Sequence, residues 1–316
     1  MMKYAKLGRS GLTVSRICLG GNSWGAAGRR AWSAFDAAQS QPFFKRALDL
    51  GINFFDTADV YNLGASEAAM GEYLVGSVPR DELVICTKVG LPFGDRPNKS
   101  GLGRKHMLAS IDASLKRLKT DHVDVYMLHR YDAETPVEEI VATLDSIVRA
   151  GKARYVAAST MRPTQLARMQ TLAKANGMPT FVSMQNLYNL LAREEEADMI
   201  PFCQEEGIAL TPYSPLARGV LSGTRGPGSN AATERAREDK MADPYLQPDK
   251  LAIVDKVKSV AVAAGALPSQ VALAWLLHQK GLVAPVVGVT KLEQIDDAVK
   301  ATEIALDAAQ LAALNG

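Results

Sequence analysis

The chain has 316 residues, of which 47% are hydrophobic, and its 36 basic and 34 acidic side chains leave a formal net charge of +2. So small a charge argues against a nucleic-acid or other polyanionic partner. Apolar runs fall short of the ~20 residues of a membrane span, the N-terminus lacks the apolar core of a signal peptide, and three distant cysteines form no C-x-x-C pair, so we expect a reduced, cytoplasmic protein without disulfides or a metal site.

Short apolar runs alternate with helix-type segments along nearly the whole chain. The runs are rich in Val, Ile and aromatic residues and alternate only weakly with polar residues, which is typical of parallel strands buried on both faces. Eight such runs are predicted as strands, over residues 16–21, 52–58, 83–89, 122–129, 153–159, 180–185, 207–213 and 283–289.

The intervening segments carry the signals of amphipathic helices. The clearest is predicted over 136–150, where Thr135 and Glu138 have the spacing of a capping box and Gly151 follows the last turn. Its apolar residues recur at i, i+3 and i+4, which indicates one buried face. The segment 104–119 has the same periodicity.

Eight strand–helix units predict one α/β domain over residues 1–316, folded as a (β/α)₈ TIM barrel. A doubly wound dinucleotide-binding fold is the main alternative, but "LGGNSWGAAG" after the first strand lacks its G-x-G-x-x-G fingerprint. The Gly-centred pattern of residues 4–15 predicts a β-hairpin that closes the barrel floor. Loop 216–248 is far longer than an ordinary connection, and such loops are functional lids or disordered segments.

Polar side chains stand at the C-terminal ends of the predicted strands, and in a barrel these ends converge on one mouth. In chain order they are Asp56, Lys88, His129, Ser159, Gln185 and Tyr213. Each has a structural interpretation, since a lone histidine can be a hydrogen-bonded core residue and Asp56 with Lys88 can be a buried ion pair. Four ionisable groups at one rim, Asp56, Tyr61, Lys88 and His129, favour a catalytic site instead.

A chemical role follows for each of the four. Lys88 can neutralise Asp56, whose burial would otherwise be costly. A cation near Tyr61 stabilises the phenolate, so we expect a pKa below the usual ~10, and a shift of two units corresponds to about 2.7 kcal/mol. Tyr61 is then the predicted proton donor, and His129 is predicted to hydrogen-bond the same reacting oxygen. Such a site suits carbonyl reduction by a hydride that a cofactor supplies.

At these residues the sequence resembles the aldo-keto reductase family, and the resemblance covers essentially the whole chain. Its motifs are, in order, "GINFFDTADVYN", "CTKVG", "HVDVYMLHRYD", "GKARYVAAST", "VSMQNLYN", "TPYSPLARGVL" and "PVVGVTKLEQIDDA". The resemblance implies a (β/α)₈ barrel and the reversible NAD(P)H-dependent reduction of an aldehyde or ketone to an alcohol. It places the family's catalytic tetrad on Asp56, Tyr61, Lys88 and His129, with Tyr61 as the general acid.

The resemblance also implies a dinucleotide bound across the barrel mouth without a Rossmann motif, with the nicotinamide stacked on Tyr213. It implies that the carboxamide contacts Ser159 and Gln185, that residues 214–219 wrap the pyrophosphate, and that the adenosine end lies at Thr290, Lys291 and Gln294. The positions that match cofactor contacts of the family are Ser23, Trp24, Asp56, Ser159, Thr160, Gln185, Tyr213, Ser214, Leu216, Arg218, Gly288, Thr290, Lys291, Gln294 and Asp297. A hydroxyl and a cation at a helix start, Thr290 and Lys291, suit a 2′-phosphate, so NADPH is predicted over NADH.

Three positions depart from the family pattern. Thr160 stands where many members have Asn or Arg, and Ala298 stands where many have an Asn against the adenine. Asn62 follows the predicted catalytic tyrosine, where glycine is common. The departures leave the tetrad unchanged but put the contacts to the carboxamide and to adenosine in question.

The substrate pocket is expected to be lined by Trp24, Phe93, Arg130 and Tyr131, with loop 216–248 on one side. Little sequence follows the last predicted helix, which resembles the bacterial branch of the family with a short C-terminus. An open mouth with aromatic walls is compatible with sugars, terpenoid or steroid-like ketones, and aromatic aldehydes as the small-molecule carbonyl partner.

Two other functions are weighed against carbonyl reduction. One is a cofactor-holding regulatory subunit with little turnover. The other is a Schiff-base lyase that uses Lys88 as a nucleophile, which Asp56 opposes because a paired carboxylate keeps the lysine protonated. The sequence leaves the reaction direction open, and a slight preference for a monomer rests on the lack of a spare apolar helix face.

Overall fold

The computed structural model describes residues 1–26, 35–226 and 239–316. The strands in these residues are β1 (Tyr4–Lys6), β2 (Thr13–Ser15), β3 (Cys18–Gly20), β4 (Phe54–Asp56), β5 (Val84–Val89), β6 (Val123–Leu128), β7 (Ala153–Ser159), β8 (Phe181–Gln185), β9 (Ala209–Leu210) and β10 (Val286–Gly288). The antiparallel pair of β1 and β2 precedes a parallel sheet of eight strands in the order β10-β3-β4-β5-β6-β7-β8-β9.

The parallel sheet closes on itself between β9 and the segment that leads into β10. The N–H of Leu210 donates to the carbonyl of Gly281 at 3.0 Å, and the carbonyl of Leu210 accepts from Val283 at 2.9 Å. The N–H of Val286 donates to the carbonyl of Pro212 at 2.9 Å. The predicted (β/α)₈ barrel is therefore confirmed.

Helices alternate with the strands and cover the outside of the barrel. The α-helices are α1 (Ala37–Asp49), α2 (Ala65–Tyr73), α3 (Arg104–Leu118), α4 (Val137–Arg149), α5 (Pro163–Ala175), α6 (Met199–Glu206), α7 (Pro248–Ala264), α8 (Pro268–His278), α9 (Glu293–Ala301) and α10 (Ala308–Asn315). Shorter helical turns cover Tyr61–Gly64, Arg80–Glu82, Glu194–Glu196, Ala217–Gly219 and Lys240–Leu246. The predicted helix periodicity is confirmed in α3 and α4, whose apolar residues form one buried face.

The start of α4 differs from the prediction. The helix is preceded by Pro136, and no side-chain cap closes its first turn, so the expected capping box between Thr135 and Glu138 is not formed. The hydroxyl of Thr135 instead donates to the carboxylate of Asp132 at 2.7 Å. This bond to the preceding loop takes the hydroxyl that the capping box would need, and the capping-box spacing alone does not predict it.

Two barrel strands are much shorter than predicted because proline interrupts them. Pro212 follows β9 and Pro285 precedes β10, and proline has no N–H to donate to a neighbouring strand. Tyr213 consequently pairs only through an isolated bridge to Leu187. Regular pairing in the predicted strand 207–213 is thus limited to Ala209–Leu210.

The N-terminal hairpin closes one end of the barrel, as predicted. Leu7 and Val14 are fully buried and pack with side chains of the barrel interior. Gly8 connects β1 to the turn with φ +61°, and a Cβ there would lie 2.5 Å from the carbonyl oxygen of Val182. Only glycine fits this approach of the hairpin to the sheet.

Three further features of the sequence were the cysteines, the length of the apolar segments and the long loop. Cys18, Cys86 and Cys203 are buried and unbridged. No single helix in the described ranges is long and apolar enough to cross a membrane, and α7 and α8, which satisfy the length and composition test only as a pair, meet at a bend of 96°. Residues 227–238 of the predicted long loop lie outside the described residues.

Candidate active site

The barrel interior explains why polar side chains gather at one mouth. Phe54, Cys86, Met127 and Ala157 belong to the apolar cluster inside the barrel. Successive side chains in a strand point to opposite faces, so the residue two positions further on points to the same side. Those residues are Asp56, Lys88, His129 and Ser159, which form the polar layer above the apolar one.

Lys88 joins three of the four predicted catalytic residues into one network. Its fully buried ammonium donates to Asp56 Oδ1 at 2.5 Å, to the carbonyl of Thr57 at 2.8 Å and to the hydroxyl of Tyr61 at 3.3 Å. All three N–H donors of the ammonium are therefore used. The ammonium also lies 4.8 Å from the centre of the Tyr61 ring.

The charge state of Lys88 is set by its neighbours. Burial is the largest single effect and by itself lowers the pKa of a lysine. The negative charge of Asp56, its hydrogen bond and the neighbouring Tyr61 and Cys86 together outweigh burial, and the pKa of Lys88 is raised above its ordinary value. Lys88 is consequently a fixed cation at neutral pH. A protonated amine cannot attack a carbonyl carbon, which weighs against the Schiff-base alternative.

The expectation for the Tyr61 pKa is wrong in sign. Although Tyr61 remains partly exposed, burial raises the pKa of its phenol, and the charge of Lys88 offsets this only in part. The sequence suggested the nearby cation but not the loss of water around the hydroxyl. Tyr61 therefore stays a protonated donor well above neutral pH.

His129 completes the group as a neutral imidazole. Its ring packs edge-on against Tyr61 with centroids 5.6 Å apart, and its backbone N–H donates to the carbonyl of Val89. Burial and the charges of Lys88 and Arg130 lower its pKa well below the ordinary histidine value. Its buried Nδ1 has no hydrogen-bond partner in the described part of the chain. A neutral ring keeps one N–H, so His129 can donate a hydrogen bond to a reacting oxygen.

Gln185 has a contact that the sequence does not predict. Its side-chain amide donates to Asp56 Oδ2 at 3.0 Å, so both carboxylate oxygens of Asp56 accept hydrogen bonds. The resemblance assigns Gln185 to the cofactor carboxamide, whereas its N–H is directed here at the tetrad. Gln185 thus belongs to the network that holds Lys88.

Thr160 lies in a backbone conformation that is unusual for a β-branched residue. Its φ is +48°, and its N–H is held by the side chain of Asn186 at 2.9 Å and by the carbonyl of Gln185 at 3.2 Å. Its hydroxyl lies 3.2 Å from that of the buried Ser159. Backbone strain of this kind persists where surrounding contacts enforce it, and it clusters at ligand sites.

The stretch predicted to wrap the pyrophosphate also contains residues in the left-handed backbone conformation. Ser214, Ala217 and Arg218 all have positive φ, between +46° and +57°. The side-chain amide of Asn189, fully buried, donates to the carbonyl of Ser214 at 2.9 Å and fixes the start of the turn. Tyr213, which precedes the turn, and Leu216, which lies within it, are half-buried.

Arg218 pairs with a carboxylate that sequence analysis overlooks. It donates to Asp239 Oδ2 at 2.7 Å, and the guanidinium of Arg225 donates to the carbonyl of Asp239 at 2.5 Å. Asp239 is fully buried. These bonds join the two described parts of the long loop, residues 216–226 and 239–248.

The turn after β10 contains the positions predicted for the adenosine end. The side-chain carbonyl of Gln294 accepts from the backbone N–H groups of Thr290 at 2.7 Å and Lys291 at 3.2 Å. Two amides therefore converge on one oxygen at the start of α9, and the side chain of Lys291 is exposed. Gly288 is exposed, and Asp297 accepts from Gln270 at 3.1 Å.

The predicted pocket residues divide into two groups. Phe93 and Tyr131 are half-buried and Arg130 is exposed, so all three can contact a ligand. Trp24 is fully buried, with its ring edge-on to Phe44 at a centroid distance of 4.7 Å. That Trp24 lines the substrate pocket therefore stays a prediction from the sequence. Its neighbour Ser23 is also buried.

The departure at Asn62 has a structural reason. Asn62 has φ +50°, a left-handed conformation that asparagine tolerates better than most residues other than glycine. Its side-chain amide donates to the carbonyl of Trp24 at 2.7 Å. Asparagine thus adopts the conformation that glycine would allow, and its side chain adds a bond that ties the turn after Tyr61 to Trp24.

Several polar residues near the site were not predicted. Asp59 follows Asp56 by three residues and accepts from Ser110 at 2.7 Å, and burial raises its pKa to about 7.

The carboxylate of Asp132 accepts from the N–H of Leu102 at 2.7 Å and so ties the loops after β5 and β6 together. The "DTAD" and "HRYD" stretches were visible signals for Asp59 and Asp132, but their partners are remote in sequence.

Comparisons with known proteins identify relatives over nearly the whole chain. A family model described as the aldo/keto reductase family matches residues 16–316. The chain is similar to versiconal hemiacetal acetate reductase of Aspergillus parasiticus, with 38% identity over 96% of this chain and 94% of that protein. It is also similar to aldo-keto reductase AFTS1 of Alternaria alternata, with 37% identity over 96% and 88% of the two chains.

A third relative is a protein of Saccharomyces cerevisiae provisionally named an aryl-alcohol dehydrogenase, with 35% identity over 97% of this chain and 94% of that protein. These three relatives are fungal. The expected likeness to a bacterial branch with a short C-terminus is therefore not supported.

Proposed function

The chain belongs to the aldo/keto reductase family, and from this premise we propose that it reduces an aldehyde or ketone with NADPH, using Tyr61 as the proton donor. The observation that carries the proposal is the contact of one buried ammonium, Lys88, with both Asp56 and the Tyr61 hydroxyl. As an oxidoreductase, the protein converts a carbonyl group to an alcohol, and the reaction is reversible.

The nicotinamide cofactor of such an enzyme supplies the hydride. The chain's own residues would supply the proton and stabilise the oxygen that gains negative charge. Tyr61 would donate its phenolic proton to that oxygen, and the Lys88 ammonium at 3.3 Å would stabilise the phenolate left behind. The neutral His129 would orient the same oxygen with its ring N–H.

The tetrad works as a unit because Asp56 holds Lys88 in place and charged. Gln185 occupies the second carboxylate oxygen and leaves the first directed at the ammonium. Since charge-assisted hydrogen bonds are stronger in a water-poor site, this arrangement keeps the cation beside Tyr61 throughout turnover.

NADPH is proposed over NADH on the strength of the turn before α9. The amides of Thr290 and Lys291 already converge on a single oxygen, that of Gln294, at 2.7 and 3.2 Å. A phosphate oxygen can accept the same pair of donors, and the exposed ammonium of Lys291 adds a matching charge. NADH lacks the 2′-phosphate that would use them.

An aromatic or similarly bulky carbonyl is the proposed substrate class. One relative is provisionally named an aryl-alcohol dehydrogenase, and the half-buried rings of Phe93 and Tyr131 offer flat apolar surface for a ring. A single domain over residues 1–316, a cytoplasmic location and a monomer remain predictions from the sequence.

A panel of carbonyl compounds tests the proposal directly. Purified protein is mixed with NADPH or NADH and with aromatic aldehydes, sugars, α-dicarbonyls or cyclic ketones, and loss of the reduced cofactor is followed. Fast turnover of an aromatic carbonyl with NADPH is expected. Tight NADPH binding without turnover of any carbonyl would instead favour the regulatory subunit.

A further inference from the structure

A buried carboxylate lies behind the catalytic residues and is not used in the proposed chemistry. Glu67 of α2 is fully buried. It accepts from the hydroxyl of Thr87 at 2.5 Å and from Nε of Arg117 at 2.6 Å. Thr87 directly precedes Lys88 in β5, so this carboxylate connects the catalytic strand with α3 through Arg117.

Arg117 contacts two further parts of the site. Its guanidinium lies over the ring of Phe93 at 5.4 Å from the ring centre. Its side-chain stem lies against Gly64, where a Cβ would be 2.6 Å from Arg117 Cδ. Gly64 ends the turn that begins at Tyr61 and has φ +86°. Phe93, the predicted pocket wall, and the turn that begins at Tyr61 thus contact the same side chain.

The guanidinium is held rigidly enough to act as a support. Nε is bonded to Glu67, and Nη2 donates to Ser114 Oγ at 3.2 Å. Two fixed donors define the plane of the group, and a planar cation over an aromatic ring is favourable by cation–π attraction. A lysine at this position could neutralise Glu67 but would offer no plane for Phe93.

Phe93 depends on this support because its loop has few other internal bonds in the described residues. The loop after β5 is tied at its base by Gly101 to Gly90, and further out by the N–H of Phe93 to the carbonyl of Lys99 at 2.7 Å. Residues 94–100 are exposed throughout. The ring of Phe93 is the apolar contact that this loop makes with the side chain of Arg117.

We infer that Arg117 is a positioning residue that sets Phe93 and the Tyr61 turn relative to each other and so determines which carbonyl compounds reach Tyr61. The inference rests on the proposed reduction. Arg117 acts through Phe93: with the ring held over the guanidinium, a flat aryl substrate meets a fixed wall beside the proton donor. A small aliphatic carbonyl makes little use of that wall.

The test compares Arg117→Lys with wild type on a bulky aryl aldehyde and on a small aliphatic aldehyde. The variant retains a cation for Glu67, so it is expected to fold. The ratio of kcat/KM values, aryl over aliphatic, should fall by roughly tenfold, mainly through a higher KM for the aryl compound. Arg149→Lys, an exposed pair with Asp145 on α4, is the matched control and should leave the ratio unchanged.

A double-mutant cycle separates positioning from a general structural role. Phe93→Leu should lower the ratio by a similar factor, and adding Arg117→Lys should lower it by less than about twofold more, because both changes remove one coupling. Fully additive losses, or an unchanged ratio accompanied only by a lower melting temperature, would overturn the inference.

A measurement without turnover keeps the inference separate from the proposed function. The eight phenylalanines are replaced by a fluorinated analogue, and Phe93→Leu assigns the ¹⁹F signal of position 93. Arg117→Lys should shift or broaden that signal, and an unchanged signal would overturn the inference. If wild type reduces no carbonyl, the proposed function fails, while this spectrum still decides whether Arg117 positions Phe93.

Discussion

The side-chain amide of Gln185 and the carboxylate of Asp56 are joined by a hydrogen bond of 3.0 Å, although 129 positions separate them in the sequence. This bond occupies the carboxylate oxygen that does not contact Lys88. It links β8 across the barrel to β4 and makes Gln185 part of the support for the proposed proton donor.

Replacing Gln185 tests that support. Gln185→Met removes the donor but preserves an unbranched side chain, so a buried carboxylate oxygen loses its partner. We expect the free energy of unfolding to fall by about 1–3 kcal/mol and turnover to fall as well, which urea denaturation and steady-state kinetics measure. Gln279→Met, which loses a bond to a backbone carbonyl at the end of α8, is the control and should not lower turnover. Unchanged stability and rate in Gln185→Met would contradict the role.

Lys88→Met should damage both activity and stability. The variant leaves Asp56 as a buried charge without its cation, a change that typically costs about 3–5 kcal/mol. The double variant Asp56→Asn with Lys88→Met should regain much of the stability, because the charge is gone, but little of the turnover. Thermal melting and kinetics on the same samples decide this. Recovery of activity in the double variant would show that the ammonium is not needed beside Tyr61.

Asp59 should make stability depend on pH. Its carboxyl group has a pKa of about 7 in the folded protein, raised by burial above the ordinary ~3.9. The folded state therefore holds a proton between about pH 4 and 7 that the unfolded state releases, and stability falls as pH rises through this window. By this linkage the loss can reach ~4 kcal/mol.

Asp59→Asn should remove that dependence. We expect the variant to be more stable than wild type at pH 8 and to show a flatter stability profile between pH 4 and 7, measured by urea denaturation. The exposed Asp95→Asn is the matched control and should follow the wild-type profile. A parallel profile for Asp59→Asn and wild type would mean that another group controls the pH dependence.

Lys291 should discriminate between the two nicotinamide cofactors. Lys291→Ala removes the charge proposed to meet the 2′-phosphate, so kcat/KM for NADPH is expected to fall by about tenfold. The value for NADH should stay near that of wild type. Lys300→Ala, in the last turn of α9, the helix that Lys291 precedes, serves as the control. Equal losses with both cofactors would assign Lys291 to helix stability instead.

The strand positions and the meeting of Asp56, Tyr61, Lys88 and His129 at one mouth could be predicted, because a period of two along parallel strands fixes which side chains share the barrel interior. The sign of the Tyr61 pKa shift could not, since it depends on how much water three-dimensional packing removes. The sequence pattern indicated the charge near Tyr61, but it did not show how far packing removes water from the Tyr61 hydroxyl.

Contacts between segments that lie far apart in the sequence could not be predicted either. The edge-on packing of Trp24 against Phe44 of α1 is one such contact. The contact of Arg117 with Phe93 joins α3 to the loop after β5, and no spacing in the sequence predicts it. Such pairs are set by tertiary packing, whereas helix caps and strand ends are visible locally. The cap at Thr135 was nevertheless mispredicted, because its hydroxyl bonds Asp132, three residues earlier, instead.

The most direct test of the central claim is NADPH oxidation with an aromatic aldehyde by wild type and Tyr61→Phe, measured side by side with cofactor binding by fluorescence titration. Removing only the hydroxyl should leave the dissociation constant for NADPH nearly unchanged and lower kcat by roughly 10²–10⁴-fold. Reduction at the wild-type rate by Tyr61→Phe would contradict the assignment of Tyr61 as the proton donor.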